Sequence, residues 1–340
     1  MKLREKVHFL NTPTPLEKLE TLSRELGINL YIKRDDLTNY GTGGNKLRKL
    51  EYFLKDAQDQ GATMLLTVGG PQTNHGRLTA AVAARAGMKS AIVAVGDDPG
   101  EISANLLLDG IMGCHVYIVK PQEGVKSSQL QADKVAAVTE EWTAKGEKVY
   151  YIPMGGSNEL GALGYYDCGL ELAEQIREQS LEDPLLITTV GSMGTYMGLF
   201  AAQIAEDLPY RLTGISIMPR KDAVAEALDY FERVKSVFSL PGDAGVRDVH
   251  IETRFDYGAY NNAVPEVRQA IYRMGRAEAI ILDPCYTGKT FNALLKLVES
   301  GKIGQGETVI FLHTGGVPGI YTGHHRIEME RELSPYIHIG

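Results

Sequence analysis

Short apolar runs rich in valine, isoleucine and leucine recur along the chain and predict β-strands. Several of these runs are apolar at every position instead of alternating with polar residues. Strands with that pattern are typical of a parallel sheet whose two faces are both covered by helices. The predicted strands are residues 64–68, 91–95, 115–120, 148–153, 185–190, 212–218, 279–283 and 308–313.

Longer segments with helical spacing of their apolar residues lie between these runs. This alternation of strand and helix predicts an α/β fold with mostly parallel sheets. The predicted helices are near residues 46–60, 74–86, 128–145, 160–179, 195–206, 264–276 and 290–300. Residues 241–262 lack a clear periodicity, and an irregular loop of that length suggests a functional segment.

Size and charge narrow the class of protein. The chain has 340 residues, 44% of them hydrophobic, which exceeds the usual single-domain size and favours two domains. Its net charge of −8 without runs of like charge argues against nucleic acid and anionic membranes as partners. Cys114, Cys168 and Cys285 are too widely spaced for a disulfide scaffold or a zinc site and fit a reducing cytosol. The start of the chain lacks an apolar signal core, and no apolar run approaches bilayer-spanning length, so we expect a soluble cytoplasmic protein.

A glycine-dense turn precedes a single lysine at the predicted start of a helix. Gly41, Gly43 and Gly44 lie just before Lys46, and glycines allow positive φ angles and close approach to a bound group. A lysine presented there with part of its hydration removed can lose its proton and attack a carbonyl. Lys46 is therefore a candidate Schiff-base lysine. The alternative is a loop followed by a solvated helix face, because lysines are mostly exposed.

Glycine-rich or polar loops follow several predicted strands, at residues 69–75, 191–195, 284–290 and 313–316. In parallel sheets, ligands gather at the carboxyl ends of the strands, where such loops lie. Residues 191–195 lead into a helix, and free backbone N–H groups with two hydroxyls can bind a phosphate there; an ordinary turn is the alternative. Residues 72–74 can hold a small carboxylate or simply begin a helix with Thr73 or Asn74 as N-cap.

The lysine, the phosphate cradle and the hydroxyl-bearing loops together suggest pyridoxal phosphate. This cofactor needs a lysine for its aldehyde, a phosphate site and a partner for its ring nitrogen. We expect no metal site, because the histidines lack metal-binding spacing. The histidines considered are His75, His313, His324 and His325.

The order of motifs resembles that of a known family. KRDD at 33–36 is followed by GGNKLRKLE at 43–51, QTNH at 72–75, DPCYTGK at 283–289 and HTGG at 313–316. Together these motifs are similar to the signature of the D-cysteine desulfhydrase and 1-aminocyclopropane-1-carboxylate deaminase family, pyridoxal-phosphate enzymes of the tryptophan-synthase-β fold type (fold type II). The likeness covers nearly the whole chain.

The resemblance implies an α/β fold of two domains, each an open, mostly parallel, twisted sheet flanked by helices. Residues 1–46 and 151–340 would form the large cofactor-binding domain, and residues 47–150 the small one, with the cofactor between them. The family's usual assembly is a homodimer, and its substrates are small amino acids.

The resemblance also implies roles for individual residues. Lys46 resembles the lysine that carries the cofactor, Asn74 the residue that contacts its phenolic oxygen, and Tyr286 an active-site tyrosine. A second family tyrosine corresponds to Tyr260, with Tyr257 as a rival. The implied cofactor-binding residues are Asn45, Lys46, Asn74, Gly191, Ser192, Met193, Gly194, Thr195, Thr287 and Thr314. The implied catalytic residues are Lys46, Thr73, Tyr260 and Tyr286, and the substrate-binding residues are Thr73, Asn74 and His75.

Two positions separate the branches of the family. Deaminases carry glutamate where Thr287 stands and leucine where Thr314 stands, so this chain resembles the desulfhydrase branch. A carboxylate beside the ring nitrogen keeps that nitrogen protonated and deepens the electron sink, whereas a hydroxyl leaves it shallower. Thr73 departs from the family's usual serine by a methyl group that restricts χ1, which leaves the exact amino acid open.

We therefore predict a lyase that acts on a small amino acid by α,β-elimination, with D-cysteine giving pyruvate, sulfide and ammonia. Lys46 would remove the Cα proton, and Thr73 would position the substrate carboxylate or the leaving group. Arg48 and Lys49 are candidates for lowering the pKa of Lys46. The alternatives are 1-aminocyclopropane-1-carboxylate deamination, elimination from L-cysteate or D-serine, and a non-catalytic protein that binds a phosphorylated metabolite.

Overall fold

The structure is a computed structural model that describes residues 4–338, and it contains two β-sheets surrounded by helices. The strands are β1 (Leu16–Lys18), β2 (Asn29–Arg34), β3 (Met64–Gly69), β4 (Lys89–Val95), β5 (His115–Val119), β6 (Val149–Ile152), β7 (Leu185–Val190), β8 (Arg211–Ser216), β9 (Ile251–Glu252) and β10 (Thr308–His313). The helices are α1 (Glu20–Leu26), α2 (Lys46–Asp59), α3 (Asn74–Arg85), α4 (Ala104–Ile111), α5 (Ser127–Ala144), α6 (Glu159–Glu178), α7 (Gly194–Glu206), α8 (Ala223–Phe238), α9 (Pro265–Glu278), α10 (Thr287–Glu299) and α11 (Gly323–Leu333).

One sheet has six strands in the order β1-β2-β10-β7-β8-β9. Its neighbouring strands are parallel, except that β1 runs antiparallel to β2. The other sheet has four parallel strands in the order β5-β4-β3-β6. The α/β fold with mostly parallel sheets that the alternation of strand and helix predicts is confirmed.

Both faces of the six-stranded sheet are buried, which explains why its central strands are mostly apolar. Along β7, Leu186 and Val190 belong to a core that includes residues of α6 and α7. Ile187 belongs instead to a second core, with residues of α9 and α10. Successive side chains of a strand point to opposite faces, so a strand covered by helices on both sides does not alternate between apolar and polar residues.

The four-stranded sheet is covered in the same way. In β3, Leu65 packs in a core with Phe53 of α2, whereas Leu66 packs with Trp142 of α5. All four strands of this sheet lie between residues 64 and 152, while the six-stranded sheet uses chain before and after them. We propose that the two sheets are the centres of the two expected domains, residues 47–150 and residues 1–46 with 151–340.

The predicted strand at residues 279–283 is wrong. Helix α9 ends where Ala279 takes a left-handed backbone conformation, with φ of 57°, and the residues after it belong to neither sheet. Ile280 and Leu282 are buried, whereas Ile281 is 47% exposed. An irregular segment therefore shows the alternation of a strand because it packs every second side chain into the core without pairing its backbone.

The apolar pattern also does not predict β1, β2 and β9, nor α1, α4, α8 and α11. β2 ends in Lys33 and Arg34, charged residues that argue against a central strand when only the sequence is considered. In the fold, Lys33 is buried because Glu171 of α6 pairs with its ammonium. None of the helices in residues 4–338 has the length and apolar character that crossing a bilayer would need.

Candidate active site

A cavity of about 1200 Å³ lies beside the carboxyl ends of β3, β7 and β10. The loops that follow these strands line it together with the start of α2, which is the usual place for a ligand in parallel sheets. Of the residues predicted for the site, the lining contains Asn45, Lys46, Thr73, Asn74, His75, Gly191, Ser192, Met193, Thr195, Tyr260, Tyr286 and Thr314. Gly194 and Thr287 lie behind the lining residues.

Two glycines bring the chain to Lys46. Gly43 and Gly44 have φ angles of 73° and 133°, and a Cβ on Gly43 would lie 2.0 Å from the carbonyl oxygen of Asp36. Lys46 is the first residue of α2, and its Nζ donates to Asn45 Oδ1 at 3.3 Å. Burial lowers the pKa of Lys46 from 10.5 to about 8, because the charged form is poorly solvated there.

Lys49 lies one turn after Lys46 on the same side of α2, although it is not itself part of the cavity lining. Its side chain is buried, and within residues 4–338 its Nζ donates to neutral groups only, the Gly155 carbonyl at 3.1 Å and Ser157 Oγ at 3.2 Å. Burial and, secondly, the charge of Lys46 lower the pKa of Lys49 well below its ordinary value. Lys49 was not among the residues predicted for the site, but its spacing of three residues from Lys46 on one helix predicts that the two lysines lie on the same side.

Arg48 points to the opposite side of α2, into a buried network of ion pairs. Its guanidinium donates to both carboxylate oxygens of Asp35, at 2.8 and 2.9 Å, and to both of Glu171, at 2.9 Å. Burial alone would raise the pKa of Asp35, but Arg48 outweighs burial and lowers it to about 2. Since its charge is matched by two carboxylates, Arg48 is not the cause of the lowered pKa of Lys46.

The loop at residues 191–195 forms a cradle where α7 begins. Met193 has a left-handed backbone (φ 66°), and α7 starts at Gly194. Asn45 Nδ2 donates to Thr195 Oγ1 at 2.8 Å, which ties this loop to the turn before Lys46. A Cβ on Gly194 would lie 2.7 Å from Lys49 Nζ. The helix N-terminus and the ammonium of Lys49 therefore favour an anion at the same point.

The loop after β3 places Thr73 at the cavity as the N-cap of α3. Thr73 Oγ1 accepts from the Gly76 N–H at 3.2 Å, and a Cβ on Gly76 would lie 2.4 Å from the Thr73 methyl carbon. Asn74 Oδ1 accepts from Asn105 Nδ2 at 3.0 Å. The threonine methyl thus packs against a glycine of α3, while the hydroxyl keeps its proton available.

His75 is buried at the cavity with both ring nitrogens lacking a hydrogen-bond partner in the part of the chain that the structure describes. Burial, followed by the charges of Lys46 and Lys49, lowers the pKa of His75 well below its ordinary value. Buried polar atoms without partners are costly in a finished protein. At the lining of a cavity they indicate a polar ligand.

Two tyrosines face each other on another side of the cavity. The hydroxyls of Tyr260 and Tyr286 are in contact, and the rings meet edge to face with centroids 5.5 Å apart. Burial raises the pKa of Tyr286, so its hydroxyl stays protonated at neutral pH. The rival Tyr257 is not part of the lining, and its hydroxyl accepts from Asn292.

Thr287 is fully buried behind the lining, at the start of α10. Its hydroxyl donates to Asp283 Oδ1 at 2.7 Å and accepts from the Asp283 N–H at 2.8 Å. Its single proton is therefore committed to Asp283, so it could only accept from a ring nitrogen that carries a proton. Asp283 lines the cavity and was not among the residues predicted for the site.

The residues present fit pyridoxal phosphate. Lys46 offers a buried amine of lowered pKa for the aldehyde, and the α7 N-terminus with Lys49 offers a phosphate site. His75 and Asn74 offer further polar atoms in the cavity lining. Within residues 4–338 no group of three or more His, Cys, Asp or Glu side chains is arranged to hold a metal ion.

Comparison with known protein sequences agrees with this geometry. The model of a family described as pyridoxal-phosphate dependent enzyme matches residues 7–315. A D-cysteine desulfhydrase from Serratia proteamaculans is 36% identical over 330 residues, which cover 95% of this chain and 97% of the relative. A candidate 1-aminocyclopropane-1-carboxylate deaminase from Pyrococcus abyssi is 36% identical over 317 residues, covering 93% of this chain and 92% of the relative.

Solved structures show the same fold. The crystal structure of an ACC deaminase homologue has a TM-score of 0.84 at 32% identity and covers 96% of this chain and 95% of that chain. The processed form of a threonine deaminase from Solanum lycopersicum has a TM-score of 0.62 at 17% identity, covering 95% of this chain and 84% of that one. The second likeness concerns the fold alone.

Proposed function

This chain belongs to the pyridoxal-phosphate dependent enzymes, and on that premise we propose that it eliminates the β-substituent of a small amino acid. The substrate that the site supports best is D-cysteine, with pyruvate, sulfide and ammonia as products. The observation that carries the proposal is Lys46, a buried lysine that opens onto the cavity, has a pKa of about 8, and has no carboxylate beside it within residues 4–338.

The cofactor, when bound, supplies the electron sink that makes the Cα proton of an amino acid acidic. In our proposal Lys46 carries the cofactor and then takes that proton, a task that suits an amine whose pKa is near the working pH. Lys49 and the N–H groups at the start of α7 hold the phosphate. These residues leave the opposite part of the cavity for the substrate.

The substrate would lie between the Thr73 loop and the two tyrosines. Thr73 and Asn74 begin α3, where free N–H groups attract the substrate carboxylate. Tyr286 keeps its proton because burial raises its pKa, and its hydroxyl can donate a hydrogen bond to a departing thiolate, with Tyr260 in contact with it. His75 contributes a neutral ring to the same wall.

Two threonines favour elimination over ring opening. Thr287 places a hydroxyl where the deaminase branch has a carboxylate, and Thr314 lines the cavity where that branch has leucine. The relatives named D-cysteine desulfhydrase are as similar to this chain as those named for the deaminase. The proposal therefore depends on the local chemistry, which supports departure of a readily lost β-substituent.

Three further expectations belong to the proposal. The protein works in the cytoplasm, as a homodimer, and with a free amino acid as its substrate. Elimination from L-cysteate or D-serine requires the same first proton transfer and stays as an alternative within the reaction class.

The test is a substrate panel on the cofactor-loaded enzyme. D-cysteine, L-cysteine, D-serine, L-cysteate and 1-aminocyclopropane-1-carboxylate are assayed for pyruvate, sulfide and 2-oxobutyrate. We expect D-cysteine to be fastest, with equal pyruvate and sulfide, and Lys46→Ala to lose about 10²–10⁴-fold or more in turnover. Lys55→Ala, further along α2, is the matched control.

Two results would contradict the proposal. Faster release of 2-oxobutyrate from the cyclopropane substrate than of pyruvate from D-cysteine would reinstate the deaminase. Full turnover by the Lys46→Ala variant would remove the lysine from the chemistry.

A further inference from the structure

A second buried lysine, Lys289, is surrounded by backbone carbonyl oxygens. It lies in the first turn of α10, and its side chain is fully buried. Its ammonium donates to the carbonyl oxygens of Ile217, Asp256, Ala259 and Tyr260, at 3.0, 2.8, 2.6 and 3.3 Å. An ammonium has three N–H groups, so these four oxygens outnumber its donors.

No carboxylate is paired with this charge in residues 4–338. Burial lowers the pKa of Lys289, and the more distant Cys285, Asp256 and Asp283 offset that effect only in part. By contrast, the buried Lys33 is paired with Glu171. A shell made of backbone carbonyl oxygens is the kind that proteins build around a monovalent cation such as K⁺.

Three of the four oxygens come from one short segment, residues 256–260. Tyr257 and Gly258 both have left-handed backbones, with φ of 56° and 77°. This bend lets three carbonyls of one segment converge on a single point. The fourth oxygen belongs to the residue directly after β8, so Lys289 ties the segment to the end of the six-stranded sheet.

The same segment carries Tyr260 to the cavity. The carbonyl of Tyr260 accepts from Lys289 and also from the Cys285 thiol at 3.0 Å. Its hydroxyl contacts Tyr286. The position of the Tyr260 ring is therefore set by backbone that the ammonium of Lys289 holds.

We propose that Lys289 is a positioning residue whose ammonium serves as a built-in monovalent cation for the carbonyls around residues 256–260. It keeps Tyr260 against the cavity. The consequence for turnover rests on the function proposed above. The cation cage, which is the set of carbonyl oxygens of Ile217, Asp256, Ala259 and Tyr260 around Lys289 Nζ, does not depend on that function. Two properties follow: the natural protein needs no added monovalent cation, and NH₄⁺ or K⁺ can replace the ammonium once the side chain is removed.

The experiment compares three variants in choline, ammonium and potassium chloride at equal ionic strength. Lys289→Ala empties the cage, Lys289→Met fills it without charge, and Lys296→Ala removes an exposed lysine of the same helix. Thermal midpoint of the full chain and turnover of the cofactor-loaded enzyme are measured in each salt. The midpoint remains informative even if D-cysteine is not the substrate.

We expect Lys289→Ala in choline to lose at least about tenfold in turnover, the equivalent of one hydrogen bond to a charged group. Ammonium or potassium should restore much of that loss and raise the midpoint. Lys289→Met should stay impaired in every salt, and the natural protein and Lys296→Ala should respond to none. Equal behaviour of Lys289→Ala in all three salts, or failure of both Lys289 variants to fold in any salt, would overturn the proposal.

Discussion

Burial affects the basic side chains on both sides of the first turn of α2, but their pKa values are shifted in opposite directions. On the cavity side lie Lys46 and Lys49, the cavity lysines, whose pKa values are lowered by burial. On the other side lies the ion-pair network of Lys33, Asp35, Arg48 and Glu171, in which the Arg48 guanidinium donates two hydrogen bonds to each of the two carboxylates. There the pKa of Arg48 is raised well above its ordinary value, because Asp35 and Glu171 outweigh burial.

The difference lies in the partners, because both sides are buried. A cation that loses water without gaining a carboxylate tends to lose its proton, and a neutral amine is what nucleophilic and base chemistry needs. A cation matched by carboxylates stays charged and holds its neighbours in place. The ion-pair network therefore anchors the turn, while the cavity lysines carry a cost in stability that a bound phosphate and aldehyde would relieve.

The largest effect on folding should come from breaking the ion-pair network. Arg48→Met leaves the buried Asp35 without its cationic partner, whereas Glu171 keeps Lys33. We expect a loss of about 3–5 kcal/mol in the free energy of unfolding, measured in urea. Arg233→Met is the control, since Arg233 is half exposed and its pairs with Glu159 and Asp229 lie at the surface. That variant should lose under about 1 kcal/mol. Similar losses in the two variants would erase the distinction between the regions.

Removing the charge of a cavity lysine should stabilise the cofactor-free protein, whereas removing the charge of Arg48 destabilises it. The pKa of Lys46 is about 8 in the folded chain and 10.5 ordinarily, so the unfolded chain binds an extra proton between those pH values. The stability of the cofactor-free protein should therefore rise by roughly 3 kcal/mol from pH 8 to pH 10.5.

Lys46→Met should remove the part of this rise that Lys46 causes, while the lowered pKa of Lys49 leaves a rise of its own. The variant should also be more stable than the natural protein at pH 7. Lys33→Met, which removes the paired lysine, should be less stable at the same pH. Urea unfolding across this pH range measures both. A parallel pH profile for Lys46→Met and the natural protein would show that the burial of Lys46 has no cost.

The smallest of the three effects concerns Lys49 and the phosphate. Lys49→Met should weaken cofactor affinity about 10- to 100-fold, because one hydrogen bond to a charged group is lost, while the cofactor-free protein becomes more stable. Titration with pyridoxal phosphate, followed by absorbance, measures the affinity. Lys55→Met on the same helix should change neither property, and unchanged affinity in Lys49→Met would exclude Lys49 from the phosphate site.

Much of the fold follows from the sequence because the central strands are buried on both faces. β3, β4, β7 and β10 are apolar at nearly every position, so their pattern is unmistakable. β2 is not predicted, because it ends in Lys33 and Arg34, whose carboxylate partners become apparent only in the fold. The strand predicted at residues 279–283 is wrong, because a segment can bury every second side chain without pairing its backbone in a sheet.

Part of the candidate site can likewise be predicted from the sequence, and part of it depends on the fold. Gly43 and Gly44 single out Lys46 because only glycine fits that turn. Lys49 and Arg48 look alike in the sequence, as one stretch of basic residues at the start of a helix. Which of them meets a carboxylate depends on α6, more than a hundred residues later in the chain, and local pattern does not carry that information.

The most direct measurement is to reduce the cofactor-loaded protein with borohydride and locate the modified residue by mass spectrometry of its peptides. Reduction makes the bond between a lysine and the cofactor permanent. We predict that the mass of the reduced cofactor is found on Lys46 alone. Its appearance on Lys49, Lys289 or another lysine, or on none, would contradict the account.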